Sequence, residues 1–193
     1  MSNALYTERL MSAADAVALI PSGARVAMGL GFSQPPAILA ALAERAAAGQ
    51  VDDVSLYYLL STGIAGGTVF RDELMGRIRP MSLFHSAIER GLEARARAAG
   101  RPNPVTFIPT GFQQVPRLMR EAGVDTLICT VSPMDDDGFF SFGIWKCFNH
   151  HCHKLNGIPE IVECPRIIYD EIRGRSFFLH GHLFVNSRLN LLF

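Results

Sequence analysis

Arg25-Val26-Ala27-Met28-Gly29-Leu30-Gly31-Phe32-Ser33-Gln34-Pro35-Pro36-Ala37-Ile38-Leu39-Ala40-Ala41-Leu42-Ala43-Glu44-Arg45-Ala46 is the stretch that decides the fold. A short apolar run over Arg25–Gly29 reads as a strand buried on both faces. A turn of Gly, Ser and Pro follows. Pro36 then stands at the first position of a helix, where its missing N–H costs nothing, and Ile38, Leu39, Leu42 and Ala46 form the buried stripe. The unit is strand, loop, helix.

Outward from this unit the pattern repeats. Before it, Ser12 with Asp15 starts a helix carrying Ala16, Val17, Leu19 and Ile20, which Pro21 and Gly23 stop. After it come a strand at Val54–Leu60, a glycine-rich loop at Ser61–Thr68 and a short helix near Phe70–Met75. A strand at Met81–Phe84, a helix at Ser86–Ala98 and a strand at Val105–Pro109 follow, then a helix at Val115–Ala122 and a strand at Thr126–Val131. Apolar strands separated by helices imply an α/β fold, a parallel sheet with helices on both faces.

The chain of 193 residues balances 18 Lys+Arg against 18 Asp+Glu, so nothing in its charge attracts nucleic acid or an acidic membrane surface. With 49% hydrophobic and 19% charged residues it can bury a substantial core. No run of about 18 apolar residues is free of charge or breakers, and the N-terminus lacks the layout of a secretory signal. A cytoplasmic protein with no membrane partner is expected. Cys129, Cys147, Cys152 and Cys164 are then expected to be reduced thiols rather than a disulfide framework.

Composition changes near residue 144. Residues 1–143 hold 21 Ala and 12 Arg without a single Lys; residues 144–193 hold no Ala, 4 Arg, both Lys and five of the six His. At the upstream frequency about seven Ala would fall in the last fifty residues, so one uniformly evolved domain is a poor description. Two domains are expected: an α/β domain over 1–143 and an irregular, divergent tail over 144–193. The tail reads either as a small subdomain or, preferably, as a frameshifted, spliced or recombined end that folds poorly.

In an open parallel sheet, ligands bind outside the carboxyl ends of the strands, which directs attention to Gly29–Pro36, Ser61–Thr68, Pro109–Gln114 and Ser132–Gly138. Gly29-Leu30-Gly31 opens a dinucleotide-like G-x-G, but Gln34 replaces the third glycine and no acidic residue ends the second strand. Gly31-Phe32-Ser33-Gln34-Pro35 is a near miss to a nucleophile elbow, with His85 and Asp125 as partners that no spacing favours. A turn serine is the simpler reading of Ser33. Asp135-Asp136-Asp137-Gly138 lacks the spaced carboxylates of a calcium loop and reads as an Asp-Gly turn. Cys147, His150, His151, Cys152 and His153 suit zinc by type but not by spacing, and no metal site is expected. His85 ends an apolar strand as a partly buried histidine. Arg90, Arg95, Arg97 and Arg101 line a helix and its exit as a solvated face.

Three segments, Ala13–Ala48, Pro109–Thr126 and Val131–Gly143 (VSPMDDDGFFSFG), resemble the N-terminal half of the acetyl-CoA hydrolase/transferase family, in that family's order and spacing. The family includes the 4-hydroxybutyrate, butyryl/acetate and succinyl/acetate CoA-transferases, and the resemblance covers roughly residues 5–143. It implies two similar α/β halves with an acyl-CoA between them. It also implies a glutamate nucleophile that passes through a mixed anhydride to a glutamyl-CoA thioester, which a small carboxylate such as acetate or 4-hydroxybutyrate resolves. Coenzyme A is then a substrate and no cofactor is required.

In the family the glutamate and the glycine-rich CoA motifs lie in the C-terminal half. The resemblance therefore assigns no catalytic residue here and implies a chain that is inactive without a C-terminal half or an oligomeric partner. Glu160, Glu163 and Glu171 match no catalytic motif, and Glu163-Cys164-Pro165-Arg166 followed by Tyr169-Asp170 is a faint echo of a later family strand. By position, Gly31, Phe32, Ser33, Gln34 and Pro35 would face the substrate end of the cleft. Thr62 and Gly63 would join them from the next strand, and Thr110, Gly111 and Phe112 from a later one. A non-catalytic half that pairs with a separately encoded partner is the alternative.

Overall fold

A computed structural model describes residues 10–133, 140–141, 160–170 and 175–186; within the last two segments Glu163 is the side chain described. In chain order the elements are β1 (Leu10–Met11), α1 (Ala13–Ala18), β2 (Arg25–Met28), α2 (Pro36–Ala47), β3 (Val54–Tyr58), α3 (Gly63–Gly67) and β4 (Ile78–Ser82). There follow α4 (Ala87–Ala98), β5 (Thr106–Phe107), α5 (Val115–Glu121), β6 (Thr126–Thr130), β7 (Glu160–Asp170) and β8 (Arg175–Asn186). The strands form one sheet in the order β1-β8-β7-β6-β2-β3-β4-β5. From β7 to β5 the pairing is parallel, and β8 runs antiparallel to β7.

Successive strand residues point to opposite faces, and the core divides accordingly. Val26 and Met28 of β2, Val54, Leu56 and Tyr58 of β3, and Ile128 of β6 pack with Val17 of α1, Ile38, Leu39 and Leu42 of α2, and Leu92 of α4. Ala27, Tyr57, Leu127 and Cys129 face the other way, against Val115 and Met119 of α5 and against Phe140. Helices therefore cover both faces, as the strand patterning requires. Each of Ile38, Leu39 and Leu42 is fully buried, which stabilises the α2 contact by about 1.5–3 kcal/mol per side chain. Arg45 of α2 donates to the carbonyls of Val17 and Ile20, tying down the end of α1.

The boundaries differ from the sequence patterning in several places. Strand β4 starts at Ile78, earlier than the expected Met81, because Pro80 lies inside it opposite Leu56. That proline is tolerated since β5 pairs with β4 only at Met81 and Ser82, so no neighbour on that side needs its missing N–H. The expected Val105–Pro109 strand shrinks to Thr106–Phe107, and the expected helix near Phe70–Met75 is a single 3-10 turn at Asp72–Leu74. The Ser61–Thr68 loop contains α3, whose first turn is capped when Ile64 N–H donates to Thr62 Oγ1 at 3.3 Å. Patterning assigned no element beyond Gly143, yet β7 and β8 extend the sheet there. Among the described residues no helix is long and apolar enough to cross a membrane.

Candidate functional site

The chain runs outward from β2 through β3 and β4 to β5, then returns to the other side of β2 as β6. The strand order reverses between β2 and β6, and at such a point the loops leaving the carboxyl ends diverge and open a crevice. The loop after β2 lies there. Gly31 adopts φ +56°, a conformation that glycine takes without a steric penalty, and with Phe32 and Ser33 forms a 3-10 turn. Gly29 allows that turn to fold back, since a Cβ there would stand 2.2 Å from the Ser33 carbonyl oxygen. The Ser33 hydroxyl donates to the Thr130 carbonyl at 3.2 Å, and the Thr130 hydroxyl returns a bond of 3.2 Å to the Gln34 carbonyl. These two bonds fasten the loop to the end of β6.

Gln34 fastens it on the other side. Its side chain is fully buried and spans to the end of β3: Nε2 donates to the Leu60 carbonyl at 3.3 Å, while Oε1 accepts from Thr62 N–H at 3.2 Å and from Thr62 Oγ1 at 2.8 Å. Gly31, Ser33, Gln34 and Pro35 are buried, and Phe32 alone in this loop projects outward, 75% exposed. Gly63 is exposed beside half-buried Thr62. The structure thus brings Gln34 and Thr62 into direct contact. Thr110, Gly111 and Phe112 follow the edge strand β5, with β3 and β4 between them and β2, and no hydrogen bond among the described residues links them to Gln34 or Thr62. Phe84 after β4, Phe107 at the end of β5 and Phe112 join Phe32 as exposed aromatic rings on this edge.

A buried polar group adjoins the site. Ser61 Oγ donates to Glu89 Oε1 and lies 2.8 Å from Ser86 Oγ, and Ser86 N–H donates to Glu89 Oε2 at 2.5 Å, closing the capping box of α4. Burial first, and then the Glu89 charge, hold the Tyr58 phenol far above the usual tyrosine range.

Other candidates fall away. Asp125 precedes β6, where it accepts from Arg25 N–H at 2.9 Å, so it sits at the amino edge of the sheet while Ser33 sits at the carboxyl edge. A serine triad is not assembled. His85 stacks on Phe107 at 4.5 Å between ring centroids, with Nε2 3.8 Å from Glu93 Oε1. Arg95 and Arg101 converge on Asp72 rather than standing free; the Arg95 hydrogen bond chiefly holds the Asp72 carboxyl below the usual carboxylate range. Asp135–Gly138 and the cluster Cys147, His150, His151, Cys152 and His153 lie outside the described residues.

Sequence patterning missed one residue of the site. Glu163 of β7 is buried, and its Oε2 accepts from the N–H groups of Ala37, at 2.9 Å, and Ile38, at 3.3 Å, at the start of α2. Pro35, the N-cap residue of that helix, makes no side-chain cap.

The acetyl-CoA hydrolase/transferase N-terminal domain profile matches residues 2–147. The chain belongs to that family. RipA from Yersinia pestis is similar to it at 44% sequence identity and a TM-score of 0.72, over 75% of this chain and 34% of RipA. The chain thus spans about a third of the length of RipA. The 4-hydroxybutyrate CoA-transferase from Porphyromonas gingivalis shares the fold at 17% identity and a TM-score of 0.52, over 92% of this chain and 38% of that one. No curated protein matches. For a family member the switch-point loop after β2 and its Gln34–Thr62 bridge are the natural place to look for substrate contacts.

Proposed function

We propose that this chain supplies one wall of an acyl-CoA site in an enzyme that moves coenzyme A between an acyl-CoA thioester and a small carboxylate. The observation that carries the reading is the loop of Gly31, Phe32, Ser33, Gln34 and Pro35, fastened at the topological switch point to Thr130 on one side and Thr62 on the other. Family membership supports it. In this reading Thr62, Gly63, Thr110, Gly111 and Phe112 extend the wall along the carboxyl edge. A C-terminal half, in the same or a separate polypeptide, supplies the glutamate nucleophile and faces the exposed rings of Phe32 and Phe112. The reaction runs in the cytoplasm, needs no metal or redox cofactor, and conserves the thioester's free energy in a glutamyl-CoA intermediate.

The wall's own contribution is shape and orientation. Buried Gln34 satisfies its polar atoms within the protein, which leaves the surface above it suited to an acyl chain. The test is amide chemical-shift mapping of the labelled chain titrated with butyryl-CoA. Saturable shifts are expected at Gly31–Gln34, Thr62, Gly63 and Thr110–Phe112; shifts confined to the amino edge of the sheet would refute the site.

A further inference from the structure

The capping box of α4 needs one oxygen of Glu89, and the other oxygen reaches elsewhere. Oε2 accepts from Ser86 N–H and closes the box. Oε1 accepts from Ser61 Oγ, 28 residues earlier, where the chain leaves β3. The Ser61 hydroxyl gives its one hydrogen to Glu89, so the Ser86 hydroxyl is the donor in the 2.8 Å contact between the two serines. A glutamate exposed on the helix surface would close a capping box equally well, whereas Glu89 is fully buried, which costs free energy that the box alone does not require. The contact with Ser61 is what its burial achieves. Thr62 comes next, and its N–H and Oγ1 both donate to Gln34 Oε1. Two adjacent residues at the exit of β3 are therefore gripped from different sides, Ser61 by α4 and Thr62 by the loop after β2.

We infer that Glu89 is a positioning residue for the candidate site: through Ser61 it fixes where Thr62 and Gly63 stand, and with them the far end of the Gln34 bridge. The inference rests on the acyl-CoA reading above for what this wall binds, while the placement of Thr62 is a property of the chain itself. Without Glu89, Ser61 keeps only the Ser86 hydroxyl, which can rotate away. The exit of β3 then shifts, and Gln34 Oε1 loses the fixed position of both its donors. A wall that must be ordered as the ligand arrives binds more weakly than one already in place. What the clamp requires is reach rather than charge. A glutamine can turn its carbonyl oxygen to Ser86 N–H and its amide to Ser61 Oγ, because a hydroxyl also accepts.

The experiment uses the full chain, isotopically labelled, with two readouts: the Gln34 side-chain amide signals without ligand, and the Kd for butyryl-CoA. Glu89→Ala and Ser61→Ala are both expected to move the Gln34 signals and to raise the Kd about tenfold, equivalent to ~1.4 kcal/mol. Glu89→Gln is expected to restore both readouts. Leu92→Ala, which opens the core beneath the same helix, is expected to lower Tm while leaving the Gln34 signals and the Kd at their wild-type values. Ser61→Ala removes a single hydroxyl and leaves the Ser86–Glu89 box intact, so it decides the matter if Glu89→Ala does not fold. Unmoved Gln34 signals in Ser61→Ala would overturn the inference. So would a Leu92→Ala that perturbs both readouts as strongly, since Glu89 would then act only by stabilising α4. Failure of the wild type to bind butyryl-CoA is a separate result that refutes the acyl-CoA reading, and the ligand-free Gln34 signals then judge the role of Glu89 by themselves.

Discussion

Replacing Gln34 with Ala tests the bridge that shapes the site. The side chain is fully buried, and its loss removes three hydrogen bonds, one to Leu60 and two to Thr62. Two of the three partners keep another bond: the Leu60 carbonyl still accepts from Gly31 N–H at 3.1 Å, and Thr62 Oγ1 still accepts from Ile64 N–H at 3.3 Å. Thr62 N–H does not, and leaving this part-buried donor unsatisfied costs up to about 1–3 kcal/mol. Alanine keeps the Cβ, so one buried methylene is lost as well and adds about 0.8 kcal/mol. The sum is about 2–4 kcal/mol, which for a chain of this size lowers Tm by roughly 4–16 °C. Urea and thermal unfolding followed by circular dichroism would read it, with Gln113→Ala on the exposed loop before α5 as a control that shifts by less than about 0.5 kcal/mol. A Gln34→Ala loss below about 1 kcal/mol would refute the reasoning, because the bridge would then be replaceable by water or by a relaxed loop.

Gly29→Ala places a Cβ against the Ser33 backbone, which cannot swing away as a side-chain tip would, and is expected to cost at least about 1–3 kcal/mol in the same unfolding assay; an unchanged Tm would contradict the close approach. Asp72, whose carboxyl is depressed chiefly by Arg95, contributes stability that is present above its unfolded pKa of about 4 and is lost as pH falls through the lower folded value. Asp72→Asn should therefore flatten the acid limb of the stability profile, and an unaltered limb would argue against the pairing. Tyr58 has the opposite sign: its raised phenol contributes stability that is complete below about pH 10 and falls as the unfolded chain begins to ionise above it. The alkaline limb should soften in Tyr58→Phe. Phe32, Phe84, Phe107 and Phe112 on one edge predict self-association of the isolated chain, and sedimentation showing a monomer at all concentrations would contradict that.

The β2–loop–α2 unit could be read from sequence because its signals are local: an apolar run, a glycine turn, Pro36 at the first helical position and a stripe at helical spacing. Both faces of the sheet could be read for the same reason, from strands without alternation. Pro80 misplaced the start of β4, since a proline inside a strand is acceptable only when the neighbouring strand is as short as β5, a fact of the sheet and not of the sequence around it. Gln34 was singled out by its place in the loop. That its amide is turned inward onto Leu60 and Thr62 depends on how β2 and β3 pair, which no spacing within the loop encodes. Glu163 stood out in the sequence only as a faint echo of a later family strand, and its contact with α2 was not legible there. It acts on a helix 126 residues away, and the signal that could have flagged it was a missing one: α2 begins Pro35-Pro36 with no capping side chain, so a cap had to come from elsewhere.

The central claim is that this chain is one half of a CoA-transferring site, and reconstitution tests it most directly. The chain is combined with the C-terminal two-thirds of a family relative such as RipA, and CoA transfer from butyryl-CoA to acetate is measured for each part and for the mixture. The account predicts turnover in the mixture alone, with ping-pong kinetics and a trappable glutamyl-CoA adduct on the added part. Turnover by the isolated chain, or a stable complex that binds butyryl-CoA without any transfer or hydrolysis, would contradict it.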